Sequence, residues 1–363
     1  MVEKIINKYE PDYVSPPGET LSDILDSINM SQASLSERTG RPRKTINEII
    51  KGKTRITPET ALQLEKVLGI PASFWNNREK QYREFLAKEK EKRKIVKQLM
   101  WLSKFPVKEM IKFNWIKKTA NKSLQVIEIL KFFGIAKPKQ WERIWYKPSA
   151  IYRKSKAFES NPFALSAWLR QGEIEAQKID CKDYNSDTFE TILHGIRALT
   201  NKHPDTFIPK MMEMCAKAGV AVVFVPEIKG ARVSGATRWL YPYKALIQLS
   251  LRYKWNDHLW FTFFHEAGHI MLHGKRELFI EGIGDHDPSE KVADRFSANL
   301  LIDNKLYNQF VKRDDFSRQS IITFANQTGI APGIIVGRLQ HDKIIGYSYF
   351  NDLKVKYIWV KGE

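Results

Sequence analysis

LWFTFFHEAGHIML, residues 259–272, decides the fold of the C-terminal half of the chain. Its apolar residues have helical spacing, and they surround two histidines, His265 and His269, four positions apart. Residues i and i+4 of a helix lie on one face, so both imidazoles can reach a single metal ion. Glu266 projects beside them and can take a proton from a water that the metal activates. We therefore predict a metal-binding helix over residues 257–272.

A second amphipathic segment, PSEKVADRFSANLL at 288–301, supplies the third metal ligand that the first segment lacks. Glu290 lies in its first turn and can complete a His₂Glu site for Zn²⁺, which leaves one coordination position open. Asp294 lies one helical turn later on the same face. It can accept the free ring N–H of a histidine ligand and so fix its tautomer.

These two motifs, H-E-x-x-H and E-x-x-A-D-x-F-S-A, resemble those of the ImmA/IrrE family of bacterial zinc metallopeptidases. The resemblance covers about residues 212–340 and implies a zincin-like domain with a short β-sheet. It assigns zinc to His265, His269 and Glu290, and the general-base role to Glu266. Members of the family typically cleave a repressor that carries a helix-turn-helix, so the implied substrate is such a protein or this chain itself.

Other polar residues are weaker candidates. His273 is one turn beyond His269, and we favour a structural or rim role for it over a ligand role. The loop residues Asp285, His286 and Asp287 could substitute as ligands, although a loop holds geometry less firmly. Peptide hydrolysis also needs an oxyanion donor. The candidates for this role are His341, Arg238, Tyr241 and Tyr243.

The N-terminal 70 residues predict short helices joined by tight turns. Ser31 is a suitable N-cap for a helix over 32–39, Gly40 suits the turn, and Pro42 or Arg43 opens the next helix. In a helix-turn-helix, this second helix enters the major groove. The candidate DNA contacts are Arg43, Lys44, Thr45 and Asn47 at base edges, and Gln32, Lys51, Lys53 and Arg55 at phosphates. The predicted core positions are Leu35, Ile46, Ile49, Leu62, Leu64 and Leu68.

This region resembles the Cro/C1-type (XRE) helix-turn-helix, and HigA-like antitoxins in particular. The resemblance lies in the G-E-x-L opening at residue 18, the M-S-Q at 30–32, and T-x-E-T-A-x-x-L-E followed by L-G-I-P-A-x-F-W. It implies double-stranded operator DNA as partner and admits a toxin as a protein partner. We expect a homodimer because operators of this class are usually two-fold.

Composition agrees with a nucleic-acid partner. The net charge is +18, and residues 78–118 hold 14 Lys/Arg against 5 Asp/Glu. No apolar run has the length of a membrane span, the charged N-terminus lacks a signal core, and two cysteines are too few for a disulfide framework. We therefore expect a bacterial or phage-encoded cytoplasmic protein. The tryptophans of the middle region are more economically explained as core residues than as base-stacking platforms.

The predicted fold class is mainly α with a small α+β part. Residues 1–77 form a five-helix DNA-binding bundle, 78–205 a helical middle region, and 206–363 the peptidase domain. Strands are expected at GVAVVFVP, VSGATRWL and ALIQLSL, and a C-terminal hairpin from IGYSYF and VKYIWV. The expected function is a transcriptional regulator with a zinc endopeptidase that responds to stress or mobile-element signals. The alternative is a non-proteolytic HigA-like antitoxin or transcriptional repressor, in which the peptidase fold is a sensor or is vestigial.

Overall fold

The chain forms two compact units, Met1–Lys97 and Gln98–Glu363. A computed structural model describes residues 13–96, 98–146, 160–275, 278–280 and 288–359. Its helices greatly outnumber its strands, which confirms the prediction of a mainly α chain with a small β part. The middle region predicted at 78–205 lies mostly within the second unit.

The described part of the first unit contains five helices, as predicted. They are α1 Pro17–Ser27, α2 Gln32–Thr39, α3 Arg43–Ile50, α4 Pro58–Leu68 and α5 Ala72–Val96. The side chain of Ser31 accepts from the Ser34 N–H at 3.1 Å and so caps α2. Gly40 ends α2 with φ of 68°, a left-handed conformation that glycine adopts without steric cost. Helix α5 begins before the predicted domain boundary at residue 77 and runs through it.

The core of the first unit is apolar and fully enclosed. Leu35, Ile46, Ile49 and Leu64 are buried there, as predicted, together with Trp75 from α5. The prediction that Leu62 belongs to this core is wrong, because its side chain is 53 % exposed. Helix α4 turns Ala61 and Leu64 inward, and their neighbour Leu62 therefore points away from the core.

The second unit opens with helices that precede its sheet. These are α6 Leu99–Leu102, α7 Val107–Lys112, α8 Lys122–Phe133, α9 Pro138–Trp141 with a π-helical turn Glu142–Tyr146, α10 Pro162–Gln177, α11 Ser186–Arg197 with a 3₁₀ turn Ala198–Asn201, and α12 Pro204–Ala216. Trp101, Trp141, Trp145 and Trp168 are buried among them, and Trp115 is half-buried. Trp141 stacks on Phe163 at 4.4 Å. Core packing therefore accounts for these aromatic residues.

Within the described residues, four strands form one mixed sheet in the order β1–β3–β2–β4. They are β1 Val220–Phe224, β2 Gly235–Tyr241, β3 Lys244–Leu249 and β4 Leu278–Ile280. The first three were predicted. Strand β1 pairs parallel with β3, and β2 is antiparallel to both β3 and β4.

The two faces of the sheet carry different helices. Ala245, Ile247 and Leu249 of β3 join a core with helix α13, Asn256–Leu272. On the other face, α10 is fixed by Gln248, whose Nε2 donates to the Trp168 carbonyl at 2.7 Å. Because side chains alternate along a strand, odd-numbered residues of β2 face α13 and even-numbered residues face α10.

Beyond the sheet, the unit closes with helices around α13. They are α14 Pro288–Leu301, α15 Asn304–Lys312, α16 Arg318–Thr328 and α17 Pro332–His341, followed by a 3₁₀ turn Asn351–Leu353. Among the described residues, no helix is both long and apolar enough to cross a membrane.

The predicted C-terminal hairpin is wrong. The first predicted strand forms turns instead, and Gln340 Nε2 donates to the carbonyls of Tyr347 and Tyr349 at 3.3 and 2.9 Å. The second predicted strand pairs with the start of α13, through a bridge between Lys356 and Trp255. The alternating pattern correctly indicated an extended segment, but the residues that this segment pairs with are distant in sequence.

Candidate functional site

Helix α13 carries the candidate metal site in its buried interior. His265 and His269 are each 1 % exposed, and Glu266 is fully buried. The apolar residues of 259–272 bury the helix between the sheet and the other C-terminal helices. A site in such surroundings excludes bulk water, which strengthens its electrostatic interactions.

The structure brings together the three predicted ligand residues. His265 Nε2 and His269 Nε2 are 3.0 Å apart. Glu290 reaches them from α14, with its two carboxylate oxygens 3.2 Å from His265 Nε2 and 3.4 Å from His269 Nε2. The three residues form a compact triangle at the crossing of two helices, with one ligand atom of each within 4.8 Å of the others.

This triangle fits zinc. Ligand atoms at about 2.0–2.1 Å from a tetrahedral Zn²⁺ lie about 3.3 Å from each other. The two imidazole nitrogens are 3.0 Å apart, and each is 3.2 or 3.4 Å from one of the two Glu290 oxygens. Two neutral imidazoles and one carboxylate also match the ligand set of catalytic zinc sites, which keep a fourth position open. Zinc binding itself stays a prediction that a metal analysis can test.

A second set of contacts orients the histidines. His265 Nδ1 is 2.9 Å from Asp294 Oδ1, as predicted, which leaves Nε2 to face the ligand triangle. His269 Nδ1 is 3.0 Å from His273 Nδ1, and its ring stacks on Phe279 at 4.1 Å. His273 therefore supports His269 from behind, in accord with the structural role that we favoured. The alternative ligands Asp285, His286 and Asp287 lie outside the described residues.

The charge states of the ligands favour a cation. Burial alone would raise the pKa of Glu290, but its contacts with the ring nitrogens of His265 and His269 outweigh burial and hold this pKa at about 2. Burial lowers the pKa of His269, because a desolvated imidazolium is unfavourable. At neutral pH the group therefore offers a carboxylate and a neutral imidazole, the forms that bind metals.

Strand β2 holds Glu266 in place. A Cβ atom at Gly235 would lie 2.7 Å from Glu266 Oε1 and 2.6 Å from Thr262 Cγ2, so a larger residue there would displace these side chains. Two residues later, the buried Thr237 hydroxyl donates to the Glu266 carbonyl at 3.1 Å. The sequence analysis missed both residues. The glycine within VSGATRWL was the available signal, since glycine inside a strand often marks a close approach.

The close crossing of α13 and α14 depends on another glycine. A Cβ atom at Gly268 would lie 3.3 Å from Ala293 Cα and 3.1 Å from Phe296 Cδ1, which is tighter than most contacts of real Cβ atoms. The Ser297 hydroxyl also donates to the Phe261 carbonyl at 2.9 Å. These contacts bring the first turn of α14, and with it Glu290, against the two histidines.

The proposal of Arg238 as an oxyanion donor is wrong, because its side chain lies away from the metal site. It is an even-numbered residue of β2 and faces α10, where it pairs with Glu173 at 2.8 Å. It therefore lies on the face of the sheet opposite to Glu266. Tyr241 and Tyr243 are exposed and stack on each other at 5.5 Å, and the exposed His341 contacts Asp342. None of these contacts places a donor at the metal site.

The candidate DNA interface lies on the first unit. Arg43 and Lys44 are exposed on the first turn of α3, and Thr45 and Asn47 are half-buried beside them. Lys51, Lys53 and Arg55 are exposed after α3, and Gln32 is half-buried at the start of α2. This α2–turn–α3 arrangement presents the predicted base-reading and phosphate-binding residues to solvent.

The helix-turn-helix family model matches residues 21–75. The N-terminal region is a helix-turn-helix domain. A helix-turn-helix of this kind is typical of DNA-binding domains. The XRE-type part of the predicted resemblance is thereby confirmed for this region, whereas the likeness of the second unit to ImmA/IrrE peptidases stays a prediction from its motifs.

Relatives of the helix-turn-helix domain include a regulator and an antidote protein. The chain is 30 % identical over 61 residues to the uncharacterized HTH-type transcriptional regulator YddM of Escherichia coli (strain K12); the match covers 17 % of this chain and 65 % of that protein. It is 32 % identical to an addiction module antidote protein of a HigA family from Coxiella burnetii, over 23 % of this chain and 94 % of that chain, with a TM-score of 0.22. Both likenesses extend over less than a quarter of the chain.

Proposed function

We propose that this chain is a DNA-binding transcriptional regulator whose second unit is a zinc-dependent endopeptidase. The observation that carries the proposal is the triangle formed by His265, His269 and Glu290, with ligand atoms 3.0–3.4 Å apart. The buried Glu266 is adjacent in sequence to the first ligand, in the position that a general base of this class occupies. The proposed setting is the bacterial cytoplasm, where operator DNA is located.

Each residue of the site has a role in the proposed hydrolysis of a peptide bond. Bound zinc would polarise the scissile carbonyl and lower the pKa of a water molecule to about 7. Glu266 takes a proton from the attacking water and transfers it to the leaving amine. Asp294 and His273 hold the two imidazoles in the tautomers that direct Nε2 to the triangle. The apolar body of α13 limits access of other water molecules.

The helix-turn-helix domain narrows the proposed substrate. A protease attached to a DNA reader is concentrated near its operator and near other proteins bound there. We therefore propose that the substrate is a repressor-type regulatory protein or the chain itself, and that a homodimer binds the operator. Cleavage would then change transcription in response to a stress or mobile-element signal.

The decisive experiment combines metal analysis with cleavage. The purified chain is expected to contain one zinc per chain and to cut helix-turn-helix repressors in a panel incubated with and without operator DNA. Glu266→Gln is expected to keep the zinc and lose cleavage, whereas Glu190→Gln, an exposed glutamate of α11, should retain both. Cleavage that persists in Glu266→Gln would refute the assigned base.

A second candidate function is a non-proteolytic antitoxin or repressor. It is favoured by the likeness to the HigA-family antidote protein. This candidate function requires a toxin as the protein partner. In that case the chain would repress its operator and neutralise a toxin without cutting any protein. Zinc-loaded protein that cuts nothing in the panel, but binds a toxin encoded beside it, would favour this candidate.

A further inference from the structure

We infer that exposed lysines at the start of the second unit form a phosphate-binding surface for double-stranded DNA. They lie in residues 104–122, here called the lysine segment, and are Lys104, Lys108, Lys112, Lys117, Lys118 and Lys122. The inference rests on the DNA-binding part of the proposed function and is independent of the peptidase. It adds a second contact with DNA, outside the helix-turn-helix domain.

The positive charge of the lysine segment is not compensated within the described part of the chain. Its one acidic residue, Glu109, is half-buried, and its Oε2 accepts from the Lys229 N–H at 2.5 Å. No described carboxylate lies within ion-pairing distance of any of the six lysines. Lys104 and Lys112 each lie over an aromatic ring, at 5.5 and 5.6 Å, and keep their charge there. A polyanion would therefore meet exposed cations with no competing acid bound to them.

The first half of the segment is anchored in the core. Phe105 and Met110 are buried. Lys108 and Lys112 are one turn apart on α7, so they share a face of this helix. Met110 lies on the other side of α7. The core therefore fixes the direction in which this pair of lysines faces solvent.

A buried glutamine anchors the second half of the segment. Gln125 of α8 is 6 % exposed, its Nε2 donates to the Lys117 carbonyl at 3.1 Å, and its Oε1 accepts from the Thr119 N–H at 3.3 Å. These bonds fold the turn before α8 against this helix, which begins at Lys122. An ordered turn loses less entropy when its side chains bind a partner.

The side chains of the segment favour the backbone of a DNA duplex over other polyanions. All its cations are lysines, point charges that suit phosphate, whereas arginine, which reads guanine with two hydrogen bonds, does not occur in 104–122. Single-stranded DNA needs exposed aromatic rings for stacking, and a membrane needs an exposed apolar face. All large apolar and aromatic side chains of the segment are buried or half-buried. Contact with duplex phosphates requires neither feature.

The connection between the two units favours DNA that the first unit already holds. The first unit ends at Lys97, and the lysine segment begins at residue 104. DNA bound by the helix-turn-helix domain is therefore present at a high effective concentration for the segment. The segment would add affinity without sequence preference, and reading of the operator sequence would stay with α3.

The test measures how the affinity of the full chain for DNA depends on salt. The probe is a fluorescent random-sequence duplex of about 40 base pairs, and binding is measured by anisotropy at several salt concentrations. The test variant changes the four lysines without a ring contact, Lys108→Gln, Lys117→Gln, Lys118→Gln and Lys122→Gln. Each lost phosphate contact lowers the slope of log K against log salt by about 0.9, which is about fivefold in affinity at physiological salt. We expect the slope to fall by about 2 or more and binding to weaken at least about 25-fold.

The matched control removes the same charge at other positions. It changes four exposed lysines elsewhere in the second unit, Lys202→Gln, Lys210→Gln, Lys305→Gln and Lys312→Gln, and should leave the slope unchanged. Lys117→Arg with Lys118→Arg keeps the charge and should bind like the wild-type chain. The melting temperatures of all variants should agree, because every changed side chain is exposed.

The outcomes separate this inference from the proposed function. Equal slopes for the test variant and the control would overturn the inference. So would tighter, lysine-dependent binding of a single strand of the same length or of phosphatidylserine vesicles, because the partner would then be of another class. A lysine-dependent slope in a chain that protects no DNA sequence in footprinting would support the surface and count against the proposed regulator. Operator protection with an unchanged slope in the test variant would leave the regulator standing and remove the surface.

Discussion

Replacing Lys354 by methionine should loosen the metal-binding helix from its N-terminal end. Lys354 Nζ is 2.6 Å from Asp257 Oδ2, and their side chains are 7 % and 9 % exposed. Lys354 also donates to Gln340 Oε1 at 2.7 Å. The substitution keeps the length of the side chain but leaves the Asp257 carboxylate buried without its cation. Its Oδ1 atom already lacks a hydrogen-bond partner among the described residues.

The expected loss is about 3 kcal/mol. Removing one partner of a buried ion pair costs about 3–5 kcal/mol, since the remaining charge keeps its desolvation penalty. The low end applies here, because Asp257 lies in the first turn of α13 and the helix dipole offsets roughly 0.3–1 kcal/mol. The double variant Lys354→Met with Asp257→Asn removes both charges. It should recover most of the loss, because a neutral buried amide costs less than a carboxylate.

Amide hydrogen exchange of peptides from 256–272 measures this loss locally, independently of the first unit. A loss of about 3 kcal/mol corresponds to an exchange rate roughly 100-fold faster for the slowest amides. Lys356→Met, two residues later and exposed, is the matched control and should change the rate less than about threefold. The reasoning is wrong if the two lysine variants behave alike, or if the double variant is no better than the single one.

Three further predictions concern the two sites. Gly235→Ala should lower kcat/KM for cleavage at least about tenfold with zinc content unchanged, since its methyl group displaces Glu266; full activity would show that β2 does not position the base. Asp294→Asn should weaken zinc about 10–100-fold in a chelator competition, because the ring N–H of its histidine loses a charged acceptor, and unchanged affinity would contradict this role. Arg43→Ala with Lys44→Ala should abolish operator protection in footprinting while zinc content stays constant, and intact protection would exclude α3 as the recognition helix.

The ligand set could be predicted because helical spacing is a local property. His265 and His269 share a face whatever surrounds α13, and Glu290 begins a helix with its own apolar stripe. The first three strands were predicted for the same reason, since runs such as VAVVF have strand character without reference to their partners. Ser31 and Gly40 similarly fixed the ends of α2 through capping chemistry.

What could not be predicted depends on which partner covers each face. Arg238 was a reasonable oxyanion donor until the structure showed that odd-numbered residues of β2 face α13. The alternating residues after 354 predicted a hairpin strand, but their partner is the start of α13, about 100 positions earlier. Strand β4 has only three residues, too few for an alternation to be recognised.

Gly268 gives the HEAGH segment a packing requirement that the pattern H-E-x-x-H does not show. The two middle positions of such a motif are usually treated as free, because they bind nothing. In this chain the second one, Gly268, lets α14 pack closely on α13, since a Cβ there would push Ala293 and Phe296 back by a few tenths of an ångström, on the same helix that carries Glu290. Transplanting His265, Glu266 and His269 onto another pair of helices would therefore also require a helix crossing close enough to place the third ligand. The smallest unit that could be transferred to another protein is thus a pair of helices at a fixed distance from each other, rather than five consecutive residues.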